Sequence, residues 1–186
     1  RKNKKKHLIF CFVDHFEPEW NNASPSLEIE RLERWDQIYP LICRRHSDHD
    51  GVCPQHSWFY PAERKVEHLD IISSWCFKGL GELEMHLHHG NDTSHSLSKK
   101  MDQYVKNFNS YGGLLTASDP PEIRYSFIHG NWALDNSAGD PSLCGVNDEI
   151  SILARTGCYA DLTMPSLGPS QSRKVNNIYY VKDDPE

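Results

Sequence analysis

The chain lacks a Cys-x-x-Cys pair, a Gly-x-Gly-x-x-Gly turn or phosphate loop after its first strand, and any internal repeat or low-complexity segment. Each absence narrows the function. Without a glycine-rich turn there is no backbone cradle for a pyrophosphate, which argues against nucleotide binding. Without Cys-x-x-Cys, the six cysteines (Cys11, Cys43, Cys53, Cys76, Cys144 and Cys158) read as free, buried thiols in a reducing compartment, with two or three disulfides as the alternative. The apolar run that begins at Leu8, about seven residues, is too short for a membrane span or a full signal peptide. A positive balance is lacking too. Twenty Lys and Arg against 26 Asp and Glu give a net charge of −6, which argues against a nucleic-acid face. The basic run over residues 1–6 therefore reads as a solvated leader, with a membrane-surface or polyanion contact as the alternative. On these grounds the chain is expected in the cytoplasm or associated with a membrane.

What is present is an ordinary globular composition, 38% hydrophobic and 25% charged over 186 residues, read as one domain over 7–186. His7 to Asp14 forms a near-continuous apolar run, as in a parallel strand covered on both faces. Ser24-Pro25 caps a long helix reaching about Arg45. A short strand follows at Ser57 to Tyr60, then a helix through Val66, Leu69, Ile72 and Cys76 that closes near Gly79. The strand of Glu82 to His88 precedes a helix carrying Leu97, Met101, Val105 and Phe108. After a turn at 118–121, Arg124 to His129 is a strand. Asn147 caps a short helix with Asp148 and Glu149 in its first turn. Gly157 ends that helix, Cys158 to Met164 is a strand, and Asn177 to Val181 is one more. Strands alternating with helices predict an α/β fold with parallel strands. About six strands predict an irregular or incomplete (β/α) barrel, with an open doubly wound sheet as the alternative.

The chemistry gathers at strand ends. In Gly81-Glu82-Leu83-Glu84-Met85-His86-Leu87-His88, alternation puts Leu83, Met85 and Leu87 on one face and His86 and His88 on the other. Imidazole is a common metal ligand, so His-x-His at the carboxyl end of a barrel strand predicts a pair of ligands. Asp14-His15 ends the first strand, where a carboxylate reaches a metal or acts as a base. His15 projects from the opposite face unless a turn brings it round. His129 ends a third apolar run, beside Gly130. A carboxylate with several imidazoles, and no Ser or Cys nucleophile motif, favours metal-assisted hydrolysis, with Asp14 taking the proton from an activated water.

These motifs give the chain a family likeness. It resembles the polysaccharide deacetylase family, the NodB-homology carbohydrate esterases, across most of its length. Phe12-Val13-Asp14-His15 is similar to the family's Thr-Phe-Asp-Asp. Gly81-Glu82-Leu83-Glu84-Met85-His86 is similar to the start of its second motif, and Phe127-Ile128-His129-Gly130-Asn131-Trp132 stands at its third. The resemblance implies a barrel of the NodB type, Asp14 as the catalytic base, His15 in place of the metal-binding aspartate, and His86 as the first metal histidine. Where the family's second metal histidine would fall stands Gly90, which offers no ligand. His88 is taken as its substitute, ahead of His89 and Asp92. The third motif's arginine is absent, with the catalytic candidate His129 near its place. The late Leu-x-His motif has no match before Glu186, so a divergent or truncated member is expected. The expected cofactor is a divalent metal, zinc first, and the expected partner an N-acetylated glycan as substrate. The activity implied is removal of acetyl groups from that sugar or polysaccharide. The alternatives are hydrolysis of another amide or ester at the same centre, and a catalytically silent barrel that binds carbohydrate or a protein partner.

Overall fold

The computed structural model describes residues 6–117, 119, 121–163 and 178–183. Its core is a parallel sheet. The first strand, β1 (Phe12–His15), is followed by α1 (Pro25–Cys43), β2 (His56–Pro61), α2 (Glu67–Phe77), β3 (Gly81–Leu87) and α3 (Ser94–Ser110). Then come β4 (Leu115–Ala117), β5 (Glu122–His129), a single 3-10 turn at Leu134–Asn136, α4 (Glu149–Thr156) and β6 (Cys158–Asp161). The parallel strands lie in the order β1, β2, β3, β5, β6, each beside the one before it, and β4 runs antiparallel to β5. Chain order and spatial order therefore agree along the parallel strands. A doubly wound sheet reverses at a switch point. Among the described residues β1 pairs with β2 alone.

Local chemistry sets the helix ends. Ser24 accepts a hydrogen bond from Leu27 N at 3.3 Å, with Pro25 at the first helical position of α1. Thr93 and Ser96 form a reciprocal capping box on α3. Gly157 ends α4 at φ 107°, a left-handed conformation that a side chain would oppose. Leu83, Met85 and Leu87 of β3 pack with Leu69, Ile72 and Trp75 of α2 and with Leu97, Met101 and Phe108 of α3. Trp58 and Trp75, 5.2 Å apart between ring centroids, join Phe16 and Trp35 in an aromatic layer beside them. The face of β3 opposite the helices carries Glu84 and His86, both buried. A polar face opposite the helices is what the alternation predicts.

Several expectations change. The first strand starts at Phe12 rather than His7, because its partner β2 begins at His56, opposite Phe12. Among the described residues none before that register has a strand partner, and Leu8, Ile9 and Phe10 are 91%, 85% and 72% exposed. Cys11 is exposed for the same reason, whereas Cys43 and Cys144 are buried; all six cysteines are free. Strand β4 is an addition, formed because Leu115–Ala117 pairs back onto Glu122–Arg124 across the expected turn. Asn147 does not cap α4. Asp135 Oδ1 accepts from Glu149 N at 3.0 Å instead, and Asn147 accepts from Asn136 Nδ2. The last strand ends at Asp161, and Met164 lies outside the described residues. No strand forms over 178–181, and Asn177 lies outside the described residues, as do 1–5 of the basic leader. No helix among the described residues is long and apolar enough to cross a membrane.

Met85 is fully buried between the sheet and its helices, so truncating it leaves a cavity. Met85→Ala should cost about 2–5 kcal/mol. Urea unfolding should show a lower midpoint at an unchanged slope.

Candidate metal centre

Parallel pairing places the carboxyl ends of β1, β2 and β3 side by side, with His15 opposite Phe59 and His86 opposite Pro61. Three histidines meet there. The rings of His15 and His86 are 4.4 Å apart, and those of His86 and His88 are 4.5 Å apart. Between them stands Glu17, two residues beyond the end of β1. Its Oε1 lies 3.3 Å from His86 Nε2, 3.8 Å from His88 Nε2 and 3.8 Å from His15 Nδ1. Donors held at about 2.0–2.2 Å around a tetrahedral ion stand about 3.3–3.6 Å apart, so this spacing suits a shared ion. The donor atoms of His15, Glu17 and His86 all lie within 4.8 Å of one another.

The ring tautomers favour the same use. His86 Nδ1 faces the Ile128 carbonyl oxygen at 3.0 Å, which can only accept, so Nδ1 donates and the Nε2 lone pair points inward. His86 is fully buried, yet among the described residues its Nε2 has no hydrogen-bond partner. A buried nitrogen left so is costly unless something else fills the place. His88 Nδ1 donates to Glu63 Oε1 at 2.8 Å, which again turns Nε2 toward Glu17. Gly130 is required for this arrangement: a Cβ there would lie 2.3 Å from His88 Cδ2.

The electrostatics follow from these contacts. The imidazoles of His86, His88 and His15 around it hold the Glu17 carboxyl below its ordinary range against the effect of burial. Burial lowers His15, and the neighbouring His86 ring adds to that effect. The Glu63 hydrogen bond raises His88.

His15, Glu17 and His88 line a cavity of about 790 Å³ that is walled by Trp20, Trp35 and Trp132, with His86 buried behind them. Arg31 Nη1 donates to the carbonyls of Pro18 and Trp20 at 2.6 and 3.0 Å, which fixes the loop after Glu17. Trp132 is 48% exposed, and its ring centroid lies 6.3 Å from that of His15. Its φ of 53° is a strained value for an aromatic residue. Asn131 holds the strained loop by donating from Nδ2 to the carbonyls of His89 and Leu143 at 2.8 and 3.1 Å.

Of the residues expected from sequence, His15, His86 and His88 come together here. Asp14 does not join them. Alternation along β1 sends its carboxylate to the other face, 3.1 Å from His56 Nε2. His129 also stands apart, fully buried, and burial pushes its ring down to about 4. Glu17 and Glu63 were not expected. The signal for Glu17 lay in Asp14-His15-Phe16-Glu17, where a carboxylate repeats the strand period after His15; Glu63 left no local signal.

A second group lies buried nearby, and it too could hold a metal ion: His89, His129, Cys144 and Glu149, with donor atoms within 4.8 Å of one another. Glu149 Oε1 lies 3.0 Å from His89 Nε2, while Oε2 accepts from Asp135 N at 2.7 Å and from Cys144 Sγ at 3.4 Å. Burial would raise the Glu149 carboxyl, but the His89 hydrogen bond holds it below its ordinary range. The sequence offered Glu149 only as a first-turn helix charge.

The His88 shift has a checkable consequence. A histidine raised on folding contributes stability that is complete below its unfolded pKa of about 6.5 and is lost as pH rises through the folded value. In chelator-treated protein, Glu63→Gln should therefore cost more stability at about pH 5.5 than at about pH 9. Urea unfolding at both pH values measures the gap, and a gap independent of pH would break the link between Glu63 and His88.

No family model matches the chain, and no curated protein or solved structure matches it either.

Proposed function

We propose that the chain is a metal-dependent hydrolase that removes acetyl groups from an N-acetylated sugar or polysaccharide, on an irregular or incomplete (β/α) barrel of the polysaccharide deacetylase type. The observation that carries this reading is the ring of His15, His86 and His88 nitrogens around Glu17 Oε1 on the floor of an open cavity. The unreversed strand order is compatible with the barrel.

In this reading His15, Glu17 and His86 hold the ion and leave a position toward the cavity, as catalytic sites do. A divalent ion there, zinc in our reading, supplies Lewis acidity to a carbonyl oxygen and acidifies water. The remaining work falls to side chains. Glu63 fixes the His88 ring and leaves Nε2 free to take a proton from the attacking water and pass it to the leaving amine. His88 thus takes the role that the sequence suggested for Asp14, which is engaged with His56. Trp132 and Trp20 offer exposed indole faces on which the apolar faces of a sugar ring stack. His129, buried and held by Asn131 N at its Nδ1, supports the floor from behind.

His86→Ala should remove the ion from this site while leaving the far-UV spectrum unchanged, as read by metal analysis and circular dichroism. His88→Gln should keep the metal and lower turnover on an N-acetylated oligosaccharide by about 10²–10⁴-fold. Unchanged metal content in His86→Ala refutes the ligand assignment. An equal loss of turnover in Asp14→Asn, with His88→Gln unaffected, returns the base to Asp14.

A further inference from the structure

The buried group behind the cavity draws its four side chains from four separate segments. His89 follows β3, His129 closes β5, Cys144 lies in the loop before α4, and Glu149 opens α4. We propose that this group is a second, closed metal centre that holds a zinc-like ion in a structural role, independent of the open site.

Donor chemistry is the first argument. Imidazole, thiolate and carboxylate are all ligands that zinc takes, at about 2.0–2.3 Å, and four of them complete its tetrahedron. Around Glu149 the spacing is already close to that of a shared ion. Oε1 is 3.0 Å from His89 Nε2, and Oε2 is 3.4 Å from Cys144 Sγ and 3.9 Å from His129 Nε2. The second argument is an unfilled position. His129 is fully buried, and among the described residues its Nε2 has no hydrogen-bond partner while it lies 3.9 Å from Glu149 Oε2. Third, the surroundings resemble a ligand shell: His89 Nδ1 faces Asp92 Oδ2 at 3.1 Å, which turns Nε2 toward the centre. Asp92 is itself held by Lys100 Nζ at 2.7 Å and by Ser96 Oγ at 2.7 Å.

The charges balance. One dication with one carboxylate, one thiolate and two neutral imidazoles is neutral, which suits a site that water does not reach. Without metal, protons hold the group together. His89 Nε2 and the Cys144 thiol each point a hydrogen at Glu149, and burial keeps that thiol protonated, up to about 12. Metal uptake releases these two protons, because coordination deprotonates a thiol. At His129 the proton moves from Nε2 to Nδ1, at the cost of the 3.1 Å contact that Nδ1 accepts from Asn131 N. With no open position, such a centre ties α4 to the loops after β3 and β5 and leaves no place for a substrate.

The test loads the full chain with Co2+ and reads the thiolate-to-cobalt charge-transfer band. We expect two ions per wild-type chain with the band present, one ion with the band intact in His86→Ala, and loss of the band in Cys144→Ser. Cys43→Ser, at the other fully buried thiol, should keep it. The wild-type spectrum decides even if a variant fails to fold: saturated protein without the band overturns the proposal. So does a band that survives Cys144→Ser, or one that disappears with His86→Ala. A single ion whose band persists in His86→Ala would support the buried centre while refuting the open one.

Discussion

The arrangement depends on β3 being paired on both sides, with β2 through Gly81 to His86 and with β5 through Met85, His86 and Leu87. Side chains alternate, so a slip of one residue would exchange the two faces and carry Met85 inward and His86 out among the helices. Burying Leu83, Met85 and Leu87 against α2 and α3 opposes that slip. The hydrogen bond from His86 Nδ1 to the Ile128 carbonyl oxygen adds a polar lock between β3 and β5. The same pairing therefore secures the core and decides which nitrogen of His86 faces the cavity.

The inner face of the sheet is unusually polar for a buried surface. Glu84 accepts from Ser126 N at 2.6 Å, and burial raises its carboxyl to about 7. Buried carboxyls and imidazoles are tolerated where each finds a partner. Among the described residues the buried imidazole nitrogens without such a partner are His56 Nε2, which lies beside Asp14, and His86 Nε2 and His129 Nε2, each of which belongs to a group that could hold a metal ion. The two groups differ in access. One opens on a cavity walled by indoles, while every member of the other is buried. In the reading proposed above, this difference in access is what separates a catalytic centre from a structural one.

Gly130 and Trp132 connect the two. Gly130 makes room for the His88 ring, and Trp132 projects over the open site from a strained backbone. That strain is held by the Asn131 hydrogen bonds to the carbonyls of His89 and Leu143, next to the buried group. Strain at a binding surface persists where the surroundings over-determine it. Here the surroundings are the loops that the second group draws together.

The sequence by itself determined the alternation of strands and helices, the inward face of β3, and the pairing of His86 with His88. These depend on periods of two and of 3.6 residues, which operate within a few residues of chain. It also marked Asp14 and His15, but not Glu17. Asp14 and Glu17 both flank His15, and only the pairing of β1 with β2, and the turn that follows it, sends Asp14 to His56 and brings Glu17 among the histidines. The start of β1 was likewise decided by its partner, since a strand extends only where a neighbour supplies hydrogen bonds. Glu63 and Glu149 had no local signal at all. Each meets a histidine 25 or 60 residues away. Ligand geometry, tautomer and access are properties of atoms from distant segments held a few ångströms apart, and only the tertiary structure decides those distances.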